Sequence, residues 1–91
     1  MTNNLFEQLA KRLVYYYAKA HLDSTDDIEF DTCNVFIVWS CKTLQNNKAL
    51  LSTDLPDGMY YEITYNGDKE EFYFDAYKKF ENRKFDLAEL I

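Results

Sequence analysis

Four groups of side chains carry enough chemistry to be weighed as a site. His21, Asp23, Asp26 and Asp27 cluster in one short stretch. Loop carboxylates of this kind could serve a hard cation. Their spacing matches no EF-hand, zinc or His-x-x-Glu-His pattern. The expectation is therefore a solvated helix end, with His21 favourable at the negative pole of the helix dipole, and no metal site. Cys33 and Cys41 are candidate thiol nucleophiles, which need a cation or a helix N-terminus beside them. Lys42 adjoins Cys41, but in a strand it points to the opposite face. Alternation puts Cys41 with Ile37 and Trp39, which predicts a buried, inert thiol. On one strand the two cysteines stand roughly 26 Å apart, far beyond the ~7 Å that a disulfide spans.

Glu62, Glu70 and Glu71 offer paired carboxylates. Acid–base catalysis needs such groups in a cleft with perturbed protonation, whereas alternation predicts a solvated strand face. The chain has one His and two Gly. It has no Gly-x-Ser-x-Gly, no phosphate loop and no cofactor motif. A non-enzymatic protein without a cofactor is expected. The last group is aromatic. Adjacent aromatics on a strand face opposite sides, so Tyr61, Phe72 and Phe74 go inward while Tyr60 and Tyr73 face outward, where they can lie side by side. Exposed Tyr is favoured in binding surfaces. It also stacks on single-stranded bases, but that use comes with a basic groove, and this face carries Glu62, Glu71 and Asp75.

Charge separates along the chain. Of the net −6, the stretch from Asp23 to Asp75 holds 12 acidic and 3 basic residues, or −9, and the two ends hold +3. An acidic face does not take up phosphate backbones, so direct nucleic-acid binding is the lesser expectation. It would need Lys11, Arg12, Lys19, Lys78, Lys79, Arg83 and Lys84 to converge on the helical side.

The elements that must position these groups follow from periodicity. Leu5, Phe6, Leu9, Ala10, Leu13, Val14 and Tyr17 recur at the spacing of one helical face. They predict a helix to about Ala20 or His21, capped by Asn4 with Glu7 completing a capping box. Ile28–Asp31 reads as a short strand. Val35–Thr43 is the strongest strand, apolar on both faces at its start and so expected to be central. Lys48–Thr53 is its return, after a turn at Gln45–Asn47. Leu55–Pro56–Asp57–Gly58 is a turn. Met59–Tyr65 and Glu70–Phe74 flank Asn66–Gly67, a hairpin signal. A two-residue loop pairs Tyr61 with Phe72, and a four-residue loop pairs Ile63 with Phe72. Both leave Met59, Tyr61, Ile63, Phe72 and Phe74 on the core face. Asp75 is expected to cap a second helix bearing Ala76, Tyr77 and Phe80, and Asp86 with Glu89 marks a further turn in the tail at 85–91. Ninety-one residues make a single domain, since domains ordinarily run to about 100–150. The fold class is α+β: an N-terminal helix, a four- or five-stranded antiparallel meander and a C-terminal helix, in a two-layer sandwich with both helices on one face.

The run Val38–Trp39–Ser40–Cys41–Lys42–Thr43–Leu44–Gln45–Asn46–Asn47–Lys48–Ala49–Leu50–Leu51–Ser52–Thr53, with Gly58–Met59–Tyr60–Tyr61–Glu62, Tyr65–Asn66–Gly67–Asp68–Lys69 and Asp75–Ala76–Tyr77–Lys78–Lys79, resembles a small family of uncharacterised proteins. They are encoded by bacteriophages and prophages of Gram-positive bacteria. The resemblance covers roughly residues 5–82. It implies a phage genome in a bacterial cytoplasm and carries no activity or site residue with it. No secretory leader or membrane-length apolar run is read from the sequence. The functional expectation is an accessory protein that binds a host or phage protein through Tyr60, Glu62, Glu71 and Tyr73. The alternatives are a self-associating module and a nucleic-acid binder using the basic helical side.

Overall fold

The computed structural model of the protein describes residues 1–22 and 30–91, apart from the side chain of Cys33. The N-terminal apolar stripe forms α1, Asn3–Ala20. Its cap is Thr2 rather than Asn4: the Thr2 hydroxyl oxygen accepts from the Leu5 N–H at 3.1 Å. That satisfies one of the donors a helix start leaves open. Glu7 then has no capping-box role, and its carboxylate accepts from the Ser40 hydroxyl at 3.1 Å, tying helix to sheet. At the other end His21 Nδ1 donates to the Tyr17 carbonyl at 2.8 Å, and the two rings stack. Asp23, Asp26 and Asp27, which cluster with His21 in the sequence, lie outside the described residues, as do Ile28 and Glu29 of the expected first strand.

A short 3₁₀ turn, Thr32–Asn34, leads into four strands: β1 (Val35–Thr43), β2 (Asn46–Thr53), β3 (Met59–Asn66) and β4 (Glu71–Lys78). They pair antiparallel in the order β1-β2-β3-β4, an open meander. A single helical turn, α2 (Leu87–Leu90), follows. The architecture is thus the expected α+β one, a helix laid on one face of a sheet. The core lies between α1 and that face. Phe6, Ala10 and Val14 come from one helix stripe and Val35, Ala49, Leu51, Tyr61 and Ile63 from the strands. Ala10 and Ala49 are both fully buried, and small side chains at both levels let the helix sit close. Tyr17 closes the C-terminal end of this layer, edge-on to Tyr61 with ring centroids 5.6 Å apart. No helix among the described residues is long and apolar enough to cross a membrane.

Three expectations are corrected. First, β1 is an edge strand, not a central one. It also carries a bulge between Ile37 and Trp39. One extra residue reverses the side-chain parity of everything after it. Val35 and Ile37 face α1, but from there Ser40 and Lys42 do, the latter donating to the Met1 carbonyl at 3.1 Å. Trp39 and Cys41 pass to the other face, so Cys41 is exposed rather than buried.

Second, the segment expected to form a helix after Asp75 is the second half of β4, which pairs with β3 as far as Met59–Lys78. Ala76, Tyr77 and Phe80 fit a helical stripe, but an unpaired β3 edge offers a ladder of backbone hydrogen bonds that local propensity does not outweigh. The C-terminal helix is the single turn in the tail, where the Glu89 N–H donates to the Asp86 carbonyl. Only α1, of these two helices, packs on the sheet.

Third, the hairpin closes after Asn66. Asn66 pairs with Glu71, Tyr65 with Phe72 and Ile63 with Phe74. This register differs from both expected ones by an even number of residues, so the inward set is unchanged. Asn66 Oδ1 accepts from the Asp68 and Lys69 N–H groups at 3.1 and 3.3 Å, which lengthens the loop. Gly67 packs against the β1–β2 loop so closely that a Cβ there would strike the Gln45 carbonyl.

Candidate functional site

Alternation leaves every second strand residue on the face that α1 does not cover. Antiparallel pairing sorts most of these residues into three rows across the sheet, and Glu71 lies beyond them, opposite Asn66. One row is Phe36, Ser52, Tyr60 and Tyr77; the next is Trp39, Leu50, Glu62 and Asp75; the third is Cys41, Lys48, Thr64 and Tyr73. Phe36, Trp39, Tyr73 and Tyr77 are 44%, 43%, 47% and 51% exposed, and Val38 at the bulge 47%. Phe36, Val38 and Trp39 lie on the β1 edge and Tyr73 and Tyr77 on the β4 edge, with β2 and β3 between the two groups.

The four residues expected to form a binding patch all lie on this side of the sheet, but they do not form one cluster. Tyr60 stands opposite Tyr77, and Tyr73 opposite Thr64. The two tyrosines are four positions apart along the ladder, about 13 Å, and not side by side. Glu62 stands opposite Asp75. Like charges directly opposed across strands are destabilising. Lys48 relieves one of them, with its Nζ 3.0 Å from Glu62 Oε1. That hydrogen bond and charge raise the Lys48 pKa above its ordinary value. Asp75 has no ion-pair partner among the described residues. The Tyr73 hydroxyl donates to Glu71, and this bond and the neighbouring charge raise the Tyr73 pKa. The face is therefore aromatic, with three carboxylates and a single lysine on its strands.

Sequence reasoning missed Phe36, Trp39 and Tyr77. Alternation alone placed Trp39 inward, and the expected helix removed Tyr77 from the sheet. No signal in Val35–Cys41 marks the bulge, because either parity puts apolar residues on both faces.

The basic residues are dispersed. Lys11 and Arg12 border a shallow hollow with Gln8 and Thr32. Lys19 Nζ lies over the Tyr15 ring, 5.4 Å from its centroid. Lys79 Nζ lies 5.9 Å from the centroid of Tyr60, on the open side. Lys78 ends β4 opposite Met59. Arg83 pairs with Glu81 at 2.5 Å and Lys84 with Asp86 at 3.5 Å, both within the tail. The seven do not meet on the helical side.

No curated protein and no solved structure matches the chain. Residues 7–87, from the second turn of α1 through the sheet to the start of α2, match the family of unknown function DUF6275, and the chain belongs to that family.

Proposed function

We propose that this protein acts by binding another protein through its open sheet face, without catalysis. The observation that carries the reading is the uncovered face itself. A four-stranded sheet is packed by a helix on one side and on the other exposes Phe36 and Trp39 at the β1 edge and Tyr73 and Tyr77 at the β4 edge, with Glu62, Glu71 and Asp75 on the same side. Aromatic side chains are enriched at the energetic centres of protein interfaces. Carboxylates around them favour a basic partner and speed its encounter. The resemblance to phage- and prophage-encoded proteins supports a setting in the bacterial cytoplasm. There a basic partner surface is the nucleic-acid site of a host defence or nucleic-acid-processing enzyme, which this face would occupy.

The experiment is affinity capture from host lysate with the wild type and a variant carrying Tyr60→Ser, Tyr73→Ser, Glu62→Lys and Glu71→Lys. A partner held by the wild type and lost by the folded variant supports the reading. Undiminished capture by the variant sinks it.

A further inference from the structure

On the helix side of the sheet, α1 lies mainly over β1 and β2. The β4 margin of that layer is left as an apolar cleft of about 200 Å³, lined by Leu9, Arg12, Leu13, Tyr16 and Phe72. Leu5, Leu9, Leu13 and Tyr16 form a second stripe on α1, beside the buried one. Leu5, Leu13 and Tyr16 are exposed, as a helix flank looks when a neighbouring element is absent. Arg12 is the charged group in the cleft wall, and Lys11 is its neighbour in sequence.

The chain also has a segment in the reverse condition. Every residue from Lys79 to Ile91 is exposed, including Phe80, Phe85, Leu87, Leu90 and Ile91. Around its helical turn the segment is acidic, with Asp86 and Glu89 set among those leucines. A lone helical turn is unstable in water and requires packing to persist. An apolar cleft walled by a cation and an apolar turn bearing carboxylates are complementary in both hydrophobicity and charge.

We propose that the cleft takes the C-terminal segment of a second copy, in a two-fold dimer that exchanges tails. In this structure no residue of the segment is buried, so its own cleft does not cover it. The radius of gyration is 15.5 Å, where a compact chain of this length has about 12 Å. The five apolar tail residues expose roughly 800 Å², so burying half of that twice, with matching cleft wall, reaches about the 1,600 Å² of a standard stable interface. A two-fold axis makes the two tail–cleft contacts identical. The docking lies on the opposite side of the sheet from the open face, so it stands or falls independently of the proposed function.

The test is light scattering on the full chain from low to high micromolar concentration. The wild type is expected to run as a dimer. Leu13→Glu, in the cleft wall, and Leu90→Glu, in the tail, each shift it to monomer at the same concentration, with circular dichroism showing the sheet retained. Mixing the two variants is expected to restore dimers, because one intact cleft then meets one intact tail. Arg12→Glu and Glu89→Arg each weaken association tenfold or more, and the double change recovers it. A wild type that stays monomeric overturns the proposal, and if Leu90→Glu then lowers its melting temperature, the tail closes on its own cleft. A dimer indifferent to both Leu13→Glu and Leu90→Glu overturns it as well, and assigns the contact elsewhere, the open face included.

Discussion

Tyr61 and Asp75 show how single side chains separate what holds the fold from what the fold presents. Tyr61 is in the core, and burial, with Asp57 and Tyr17 adding to it, pushes its pKa up to about 12. The fold thus favours the neutral phenol. That contribution is complete below pH 10 and is lost as pH rises toward the folded-state value. Tyr61→Phe is expected to leave stability near neutrality almost unchanged and to flatten the loss between about pH 10 and 12. Melting temperature against pH for both proteins checks this, and parallel curves would contradict it. Asp75 stands directly opposite Glu62, and no cation pairs with it among the described residues. Asp75→Thr is expected to raise stability by about 0.2–1 kcal/mol in urea unfolding and to weaken capture of a basic partner. A neutral or destabilising outcome would show that the Glu62–Asp75 pairing carries no cost. The inward set Tyr61, Ile63, Phe72 and Phe74 could be read from alternation because every plausible register had the same parity. The neighbours of Tyr60 and Tyr73 could not. They depend on the exact register, and that is set by Asn66 accepting two loop N–H groups and by Gly67 resting on Gln45.

Among the elements, α1 was readable to within two residues because its apolar stripe is long and regular. Its cap was not, since Thr2, Asn3 and Asn4 all have capping side chains. β1 and β4 were the elements misjudged, for different reasons. In β4, Asp75 through Phe80 has a helical stripe, and the pairing with β3 that overrides it is a contact distant in the chain. In β1 a single extra residue at Val38 decides which face Trp39 and Cys41 occupy. This gives a sharp expectation. Deleting Val38 places Trp39 directly after Ile37 and opposite Leu50, so the ladder becomes regular while Trp39 and Cys41 stay on the open face and Ser40 and Lys42 keep their helix partners. Stability is expected to change by no more than about 1 kcal/mol in urea unfolding, since no buried side chain is removed. A loss of about 3 kcal/mol or more, by overpacking, would show that the deletion moves Trp39 under α1 and that the bulge is not what takes up the extra residue.

For the molecule as a whole, the flat dimensions of 44 × 43 × 18 Å reflect a two-layer body with one sheet face bare and one tail extended. The charge division seen in the sequence persists only partly. The acidic residues of β3 and β4 gather on or beside the open face, whereas Lys79 joins that side and Arg83 and Lys84 pair within the tail. Acidity by itself would account only for solubility. Its placement around Trp39, Tyr73 and Tyr77 is what argues for a protein partner. Capture of that partner should therefore depend on the newly placed aromatics. The decisive comparison sets the wild type against Trp39→Ser with Tyr77→Ser, with Lys11→Glu and Lys19→Glu on the helical side as the control. Loss of the partner by the aromatic variant and its retention by the control is the predicted result. Retention by the aromatic variant, or loss by the control alone, would contradict a binding role for the open face.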